Sequence, residues 1–258
     1  MKNIRYILMT VIAAFCVTSC DWFELDNMDG HDATIAGKFV DADGDLVPSE
    51  VYSSQTGVFK VIELGWDSEA TQTWYIKNNG TYRNNLVWAG KYRMQTTDSN
   101  YYPFNEEFEL KKGDNTVDFT VKPYAKVIDP VFTYDAATQK IKATCKVKVT
   151  DPSKTSLKEV RLCCYTDCFV GTSFNNCKND AGAVVKDVAL TNGEATVTVE
   201  IDTQASANAV EFKYERVHYV RVAALAAGTD VNNSSRYNFS QTYSIALDGT
   251  PAVEYTKW

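Results

Sequence analysis

Residues 141–149 read Ile-Lys-Ala-Thr-Cys-Lys-Val-Lys-Val, with apolar side chains at the odd positions and polar side chains at the even ones. Residues 194–201 repeat this pattern and place Val197, Val199 and Ile201 on one face. A period of two predicts strands with one buried and one solvated face, as in antiparallel sheets. No stretch of a dozen residues shows helical periodicity, so we expect an all-β protein.

Turn signals separate the predicted strands. They are Asp43-Gly44, Asn79-Gly80, Lys112-Gly113-Asp114, Asp151-Pro152 and Asn192-Gly193. Gly and Pro in such pairs favour tight turns. Many short strands joined by turns are typical of β-sandwiches. The sequence therefore predicts β-sandwich architecture.

A change of strand set marks a domain boundary. Pro123 and Pro130 bracket a short segment that cannot lie in a central strand. Val131 is expected to begin a new set of strands. We therefore predict one sandwich at residues 33–125, a second at 126–247 and an irregular tail at 248–258.

The first twenty residues resemble an export signal. Lys2 and Arg5 precede a short apolar run at residues 7–15, which is typical of a secretory signal rather than a membrane span. Val17-Thr18-Ser19-Cys20 resembles a bacterial lipobox. That resemblance implies removal of residues 1–19 and acylation of Cys20, which would anchor the protein in a membrane.

Residues 20–32 form a predicted acidic tether. Asp21, Glu24, Asp26 and Asp29 follow the acylated cysteine closely. This segment resembles the signal that sends Bacteroidota lipoproteins to the outer-membrane surface, which implies a location in the outer membrane facing the exterior. A solvated acidic tether explains the same residues.

Composition excludes several classes of function. Loss of Lys2 and Arg5 with the signal changes the net charge from −7 to −9, which argues against nucleic acid as a partner because phosphate binding needs a clustered basic face. His31 and His218 are the only histidines in the sequence. Histidine-based catalysis and multi-histidine metal sites are therefore not expected.

The first predicted domain carries motifs of a known fold. Residues 35–48 read Ile-Ala-Gly-Lys-Phe-Val-Asp-Ala-Asp-Gly-Asp-Leu-Val-Pro, and Asn79-Gly80-Thr81-Tyr82 and Gly90-Lys91-Tyr92 follow. These motifs are similar to the carboxypeptidase-regulatory-like, prealbumin-type fold. The resemblance implies a seven-stranded sandwich without catalytic residues.

The second predicted domain resembles a fibronectin type III module. Residues 218–225 read His-Tyr-Val-Arg-Val-Ala-Ala-Leu, and Tyr237-Asn238-Phe239-Ser240 follows. The resemblance implies that Val220, Val222 and Ala224 face the core and that Arg221 faces water. His218 stands where the fold usually has its corner tyrosine, so we expect a structural role in which its ring donates to a backbone carbonyl.

The lipobox and the two domains together resemble a two-domain Bacteroidota surface lipoprotein family of unknown function. Its members are commonly encoded in polysaccharide-utilisation loci beside SusC- and SusD-like genes. The resemblance implies SusC/SusD-like outer-membrane proteins as partners. Shared genomic position is an analogy and gives no mechanism.

Five cysteines remain beyond Cys20. An exported protein can hold disulfides, and a bridge between Cys168 and Cys177 is the pairing we predict. A zinc site of Cys163, Cys164, Cys168 and Cys177 is a weaker alternative because the spacing lacks two Cys-x2–4-Cys pairs.

Asp41, Asp43 and Asp45 could offer oxygens to calcium, but their spacing departs from an EF-hand and a tight turn explains them. No metal or cofactor is predicted.

Exposed aromatic residues are the predicted glycan-binding candidates, because sugars stack on flat apolar rings. Trp66 and the pair Tyr101-Tyr102 lie in polar, loop-like contexts. Asn233, Arg236 and Tyr237 lie in or beside the loop between the last two strands of the second domain, where sandwiches often place recognition residues. An ordinary solvated loop is the better explanation of any one group alone, and three such groups on one molecule favour binding.

The sequence carries no recognised catalytic motif. Gly171-Thr172-Ser173-Phe174-Asn175 lacks the second glycine of a nucleophile elbow, so no enzyme activity is predicted. We expect an accessory glycan-binding or complex-organising lipoprotein of a SusC/SusD-type polysaccharide uptake system. The alternatives are a structural or protein-interaction module with no glycan site, and a hydrolase with a carboxylate pair that sequence cannot place.

Overall fold

The computed structural model describes residues 30–50, 57–96, 99–228 and 236–258. Within these ranges the regular structure consists of β-strands and one 3-10 turn, Ser206–Asn208. The all-β prediction is confirmed. Among the described residues, no helix has the length and apolar character needed to cross a bilayer.

Domain one is built from two packed sheets. Its strands are β1 (Ala33–Val40), β2 (Val58–Glu63), β3 (Thr71–Tyr75), β4 (Thr81–Val87), β5 (Gly90–Thr96), β6 (Phe104–Leu110), β7 (Gly113–Thr116) and β8 (Phe119–Thr120). One sheet has the order β4-β1-β7, with β8 also paired to β1, and the other has the order β3-β2-β5-β6. Strand β1 runs antiparallel to β4 and parallel to β7 and β8.

Domain two is a second sandwich. Its strands are β9 (Ala125–Asp135), β10 (Lys140–Val149), β11 (Thr155–Tyr165), β12 (Val184–Val188), β13 (Glu194–Asp202), β14 (His218–Gly228), β15 (Tyr237–Phe239), β16 (Tyr243–Ile245) and β17 (Val253–Glu254). The smaller sheet has the order β13-β10-β9. The larger has the order β12-β11-β14-β16-β17, with β15 also paired to β14. Residues 248–258, expected to be irregular, thus contribute strand β17.

Strand β10 has the predicted alternation. Ile141, Ala143, Cys145, Val147 and Val149 are buried, and the intervening residues face outward. Its antiparallel partner β13 presents the matching apolar face along a continuous register. Each fully buried Ile or Val side chain contributes about 1.5–3 kcal/mol relative to exposure. The alternation therefore fixes which face of this sheet closes the core.

Strand β9 begins earlier than the sequence predicted. It starts at Ala125 rather than Val131 and continues through Pro130. Proline is tolerated because β9 is the edge of its sheet. Asp129 has a φ of 47°, and the register with β10 shifts between Thr144 and Lys146. The two prolines therefore mark an irregular edge strand and not a gap between strand sets.

Two apolar clusters form separate cores, one for each domain. The core of domain one is aromatic at its centre, where Phe39, Phe59, Tyr82 and Phe119 contact one another in pairs. Their ring centroids lie between 5.1 and 6.2 Å apart. The core of domain two is aliphatic and includes alternate residues of β10, β13 and β14.

Arg221 is buried, although the sequence predicted that it faces water. Val220, Val222 and Ala224 face the core as expected. The opposite face of β14, however, lies against domain one, and Arg221 is fully buried there. Burial lowers the pKa of Arg221 to about 9, which still leaves the guanidinium charged at neutral pH.

Three backbone carbonyls and one ring surround this guanidinium. Its Nε donates to Ser240 O at 2.6 Å, Nη1 to Ser49 O at 2.6 Å and Nη2 to Asn78 O at 2.7 Å. The charge lies 4.3 Å from the centroid of Phe239, within cation–π distance. Ser49 and Asn78 belong to domain one, so Arg221 joins the two domains.

Other buried polar contacts surround Arg221 at the domain interface. Asn100 Nδ2 donates to Tyr237 O at 3.2 Å, and Asn238 Nδ2 donates to Asn100 O at 2.7 Å. Asn78 Nδ2 donates to Val170 O at 3.2 Å. These amides satisfy backbone groups that the interface removes from water, which is the condition for burying polar groups at low cost.

We predict that Arg221→Ala strongly destabilises the protein. The change removes the guanidinium donors from three backbone carbonyl oxygens, and breaking a buried charged network costs about 3–5 kcal/mol. Urea unfolding followed by fluorescence measures the loss. The matched control is Arg83→Ala, because Arg83 is exposed and its removal should change the free energy of unfolding by less than about 0.5 kcal/mol. Equal effects of the two substitutions would contradict the role of Arg221 in joining the two domains.

Candidate functional site

Trp66 is exposed, as a glycan-binding residue must be. Its side chain is 52% accessible and lies in the bend after β2. The neighbouring Glu69 pairs with Arg93 at 2.6 Å. The structure shows no other ring packed beside Trp66 among the residues it describes. Its role in binding stays a prediction.

Tyr101 and Tyr102 lie at the domain junction and differ in exposure. Tyr101 is buried and packs on Phe39 with ring centroids 5.7 Å apart. Its burial raises its pKa to about 12. Tyr102 is half-buried and contacts Tyr124 at 4.7 Å. Because its backbone pairs with Pro123 at the domain junction, the Tyr101 ring turns inward and offers no exposed face to a sugar. A glycan-binding role for Tyr102 stays a prediction.

The residues around β15 are also turned inward. Arg236 is buried. Tyr237 is half-buried, and its hydroxyl donates to Glu159 Oε1 at 2.9 Å. Glu159 also accepts from Arg161 Nε at 2.9 Å. Packing of β15 on β14 therefore leaves Arg236 without an exposed face for a sugar. A glycan-binding role for Tyr237 stays a prediction, and Asn233 lies outside the described residues.

An ammonium group occupies the centre of the candidate calcium cluster. Lys126 Nζ lies 2.7 Å from Asp41, 3.2 Å from Asp43 and 2.6 Å from Asp45. Burial alone lowers the pKa of Lys126, but hydrogen bonds to the three carboxylates outweigh it and raise the pKa well above 10.5. The acidic turn therefore pairs with domain two through a cation supplied by the protein.

The predicted bridge between Cys168 and Cys177 stays a prediction, but the two residues have different surroundings. Both thiols are free. Cys177 is buried in the core of domain two, whereas Cys168 is half-buried in the loop outside it. Cys163 and Cys164 face opposite sides of β11, in two different apolar clusters. The four cysteines therefore do not converge on the alternative zinc site.

His218 is structural, but its partner differs from the predicted carbonyl. The ring is fully buried, and Nδ1 lies 2.6 Å from Glu211 Oε1. Asn176 Nδ2 donates to the other oxygen of that carboxylate at 2.8 Å. A carboxylate seven residues earlier in the chain thus replaces the expected backbone acceptor.

Four aromatic rings form a surface on domain two that the sequence did not predict. This aromatic surface consists of Phe169, Tyr219, Tyr255 and Trp258. Ring centroids lie 6.4 Å apart for Phe169 and Trp258, 5.0 Å for Tyr255 and Trp258, and 5.6 Å for Tyr219 and Tyr255. Phe169 is 44% exposed and the other three rings are partly exposed. Contiguous, partly exposed rings of this kind mark binding surfaces more often than scattered ones do.

Local structure holds each ring in place. The Asp167 carboxylate accepts a hydrogen bond from Phe169 N at 3.2 Å, and Asp167 O accepts one from Val170 N. Val170 is buried in this turn, and the Phe169 side chain points outward. Pairing of β17 with β16 brings Tyr255 alongside β14, and Tyr255 N donates to Thr242 O at 2.8 Å. Trp258 Nε1 donates to Tyr255 O at 3.0 Å.

Polar groups border the aromatic surface. The carboxylate of Asp167 is exposed beside Phe169. The hydroxyl of Tyr255 interacts with the Cys168 thiol, and that contact raises the pKa of Tyr255. Flat apolar rings beside a few oriented polar groups are the usual lining of a small-molecule site. Stacking with hydrogen bonding is the chemistry that this surface offers.

A groove lies between the two domains. Its volume is about 430 Å³, and its lining includes Asp41, Leu46, Pro48, Lys126, Gln241 and Tyr243. Lys126 and Asp41 are already paired within it. Its lining has two aromatic residues, Tyr243 and Phe239, and Phe239 is buried. The groove therefore offers less stacking area than the aromatic surface.

The fold and this site define a two-domain, all-β protein with the features of a binding module. Residues 33–122 match the N-terminal domain model of the protein of unknown function DUF3823. A structure of a proposed carbohydrate-binding protein from Bacteroides uniformis ATCC 8492 is 33% identical, with 84% of this chain and 100% of that chain covered and a TM-score of 0.74. The chain belongs to the DUF3823 family.

More distant structures share the fold. A DUF3823 family protein from Parabacteroides merdae ATCC 43184 is 18% identical, with 83% of this chain and 98% of that chain covered and a TM-score of 0.67. One from Bacteroides ovatus ATCC 8483 is 20% identical, with 84% and 100% covered and a TM-score of 0.65. No curated protein matches the chain. The expected membership of a Bacteroidota family of unknown function is confirmed.

We predict that Lys126→Met lowers the free energy of unfolding by about 1–2 kcal/mol, because it leaves three carboxylates facing one another. The folded-state pKa of Lys126 is raised, so its contribution is complete at neutral pH and is lost as the pH rises above 10.5. The difference in the free energy of unfolding between wild type and variant should therefore disappear at alkaline pH. Exposed Lys142→Met is the control, and a wild type stabilised by added calcium would contradict this assignment.

Proposed function

We propose that this protein binds polysaccharide or oligosaccharide at the aromatic surface, without cleaving it. The observation that carries the proposal is the contiguous set of partly exposed rings Phe169, Tyr255 and Trp258, with Asp167 at its border. The rings offer apolar faces to the C–H faces of sugars. The carboxylate offers acceptors for sugar hydroxyls.

The same surface is held by domain one. Asn78 Nδ2 donates to Val170 O, the residue after Phe169, at 3.2 Å. Glu50 accepts from Thr172 Oγ1 at 2.8 Å and from Ser173 N at 2.5 Å. A binding surface fixed before the ligand arrives loses less conformational entropy on binding. The domain interface therefore supports the proposed site.

Stacking on a few rings gives each single site only a low affinity for glycan. Repeated units along a polysaccharide allow rebinding at a high effective concentration, and several anchored copies would engage one chain. A low-affinity protein can thus retain glycan at a membrane surface. The relative from Bacteroides uniformis, described as a proposed carbohydrate-binding protein, supports this chemistry.

We place this activity at the outer membrane. The lipobox resemblance at Cys20 and the acidic tether support a lipid-anchored protein on the cell exterior. In this location the protein would serve as an accessory of a SusC/SusD-type uptake system and would raise the glycan concentration near the transporter. Cys20 lies outside the described residues, so this placement rests on the sequence.

One observation favours a second candidate function, a protein-interaction module. Val210, Tyr214 and Val217 are exposed within eight residues, in the segment between the 3-10 turn and β14. Exposed apolar side chains in such a cluster suit a protein partner. A complex-organising role in the uptake system would use this segment rather than the aromatic surface.

A glycan array tests the proposed function. The probe is soluble protein from Asp21 onward, compared with Trp258→Ala, Phe169→Ala and Trp66→Ala. We expect binding to at least one glycan and a loss of tenfold or more, which corresponds to about 1.4 kcal/mol, for the first two variants. Trp66→Ala tests the exposed candidate of domain one, and a site at the aromatic surface predicts that this variant binds as the wild type does.

Two results would overturn the proposal. Loss of binding on Trp66→Ala alone would move the site to domain one. No binding by a wild-type protein that shows a cooperative unfolding transition would favour the protein-interaction module. Pull-down from outer membranes with Tyr214→Ala as the variant would then test that module.

A further inference from the structure

Cys164 and Cys177 belong to two neighbouring segments of domain two that are joined by backbone hydrogen bonds. Cys164 is near the end of β11, and the chain returns alongside it after a loop. Asn176 N donates to Cys164 O at 3.0 Å. Asn175 Oδ1 accepts from Cys164 N at 3.2 Å and from Cys177 N at 2.9 Å. One side-chain oxygen thus holds both cysteine backbones within two hydrogen-bond lengths of each other.

The two side chains also meet. Both are fully buried in the apolar core of domain two. Burial, and next a hydrogen bond between the two thiols, raises the pKa of Cys164 well above its usual value. The shared Asn175 acceptor and the common core thus place the two cysteines next to each other, as a disulfide requires.

We propose that Cys164 and Cys177 form an intramolecular disulfide bond when the chain meets an oxidising compartment. The two S–H bonds break and one S–S bond forms. The two protons and two electrons pass to an oxidising disulfide, which is reduced to two thiols. The pairing uses neither Cys168 nor Cys163, which lie outside this contact.

The reaction must occur before the core closes. The attacking species is a thiolate that an oxidant can reach. In the folded protein the two cysteines are inaccessible and burial holds the pKa of Cys164 high. Oxidation therefore accompanies folding after export, and the completed sandwich then protects the bond from reduction.

Metal binding is the alternative role for Cys164 and its neighbours. Donor atoms of Cys164, Glu211 and His218 lie within 4.8 Å of one another. The Glu211 carboxylate, however, is already bonded to His218 on one oxygen and to Asn176 on the other. The carboxylate is thus satisfied without an ion, and the observations favour the disulfide.

Thiol trapping tests the pairing without any substitution. The full-length protein is isolated from bacterial membranes, its free thiols are alkylated in denaturant at lysis so that buried thiols also react, and its peptides are analysed by mass spectrometry without reduction. We expect a linked Cys164–Cys177 peptide lighter by two hydrogens, with Cys145, Cys163 and Cys168 alkylated. A second sample is unfolded, reduced and refolded with reduced and oxidised glutathione. Pairing in this sample alone would uphold the disulfide and contradict only the proposed export.

A stability measurement completes the test. Reduction should lower the unfolding temperature of the wild type by roughly 5–15 °C, because the bond closes a short loop. Cys168→Ser should show the same loss, and a Cys164→Ala, Cys177→Ala double variant should show none. Alkylation of all five thiols in both samples, a Cys168–Cys177 link, or stoichiometric zinc bound with Cys164 reduced would overturn the proposal.

Discussion

The buried guanidinium of Arg221 is the constraint on which the arrangement of the two sandwiches depends. A charge removed from water is tolerated where its donors find acceptors. The Arg221 guanidinium donates hydrogen bonds to Ser240 O of domain two and to Ser49 O and Asn78 O of domain one. Neither domain alone completes this set, so the charge favours the state in which both domains are folded and in contact.

The rest of the interface follows the same principle. Amide side chains of Asn78, Asn100 and Asn238 satisfy the backbone groups that the contact buries, and Lys126 neutralises the acidic turn at its rim. This polar interface also holds the loop that carries Phe169. The functional consequence is that domain one, which contributes no ring to the aromatic surface, nonetheless fixes its geometry.

Local patterns predicted local structure well. The alternation in residues 141–149 places Ile141 and Val147 in the core because it depends only on the chain's own period of two. The resemblance to a fibronectin type III strand failed for Arg221, because the domain-one groups that cover it lie more than 140 residues earlier in the chain. The prediction from loop-like context failed likewise for Tyr101, which the domain junction turns inward. The aromatic surface was missed because it joins Phe169 to Trp258 through the pairing of β17, which no local pattern indicates.

Differential scanning calorimetry on the soluble protein from Asp21 onward tests whether the two sandwiches are one cooperative unit. A buried, shared set of hydrogen bonds should couple their unfolding, so we expect a single transition in which the calorimetric enthalpy equals the van't Hoff enthalpy. Two separate transitions in the wild type, one for each domain, would contradict the role of Arg221 as the clamp between them.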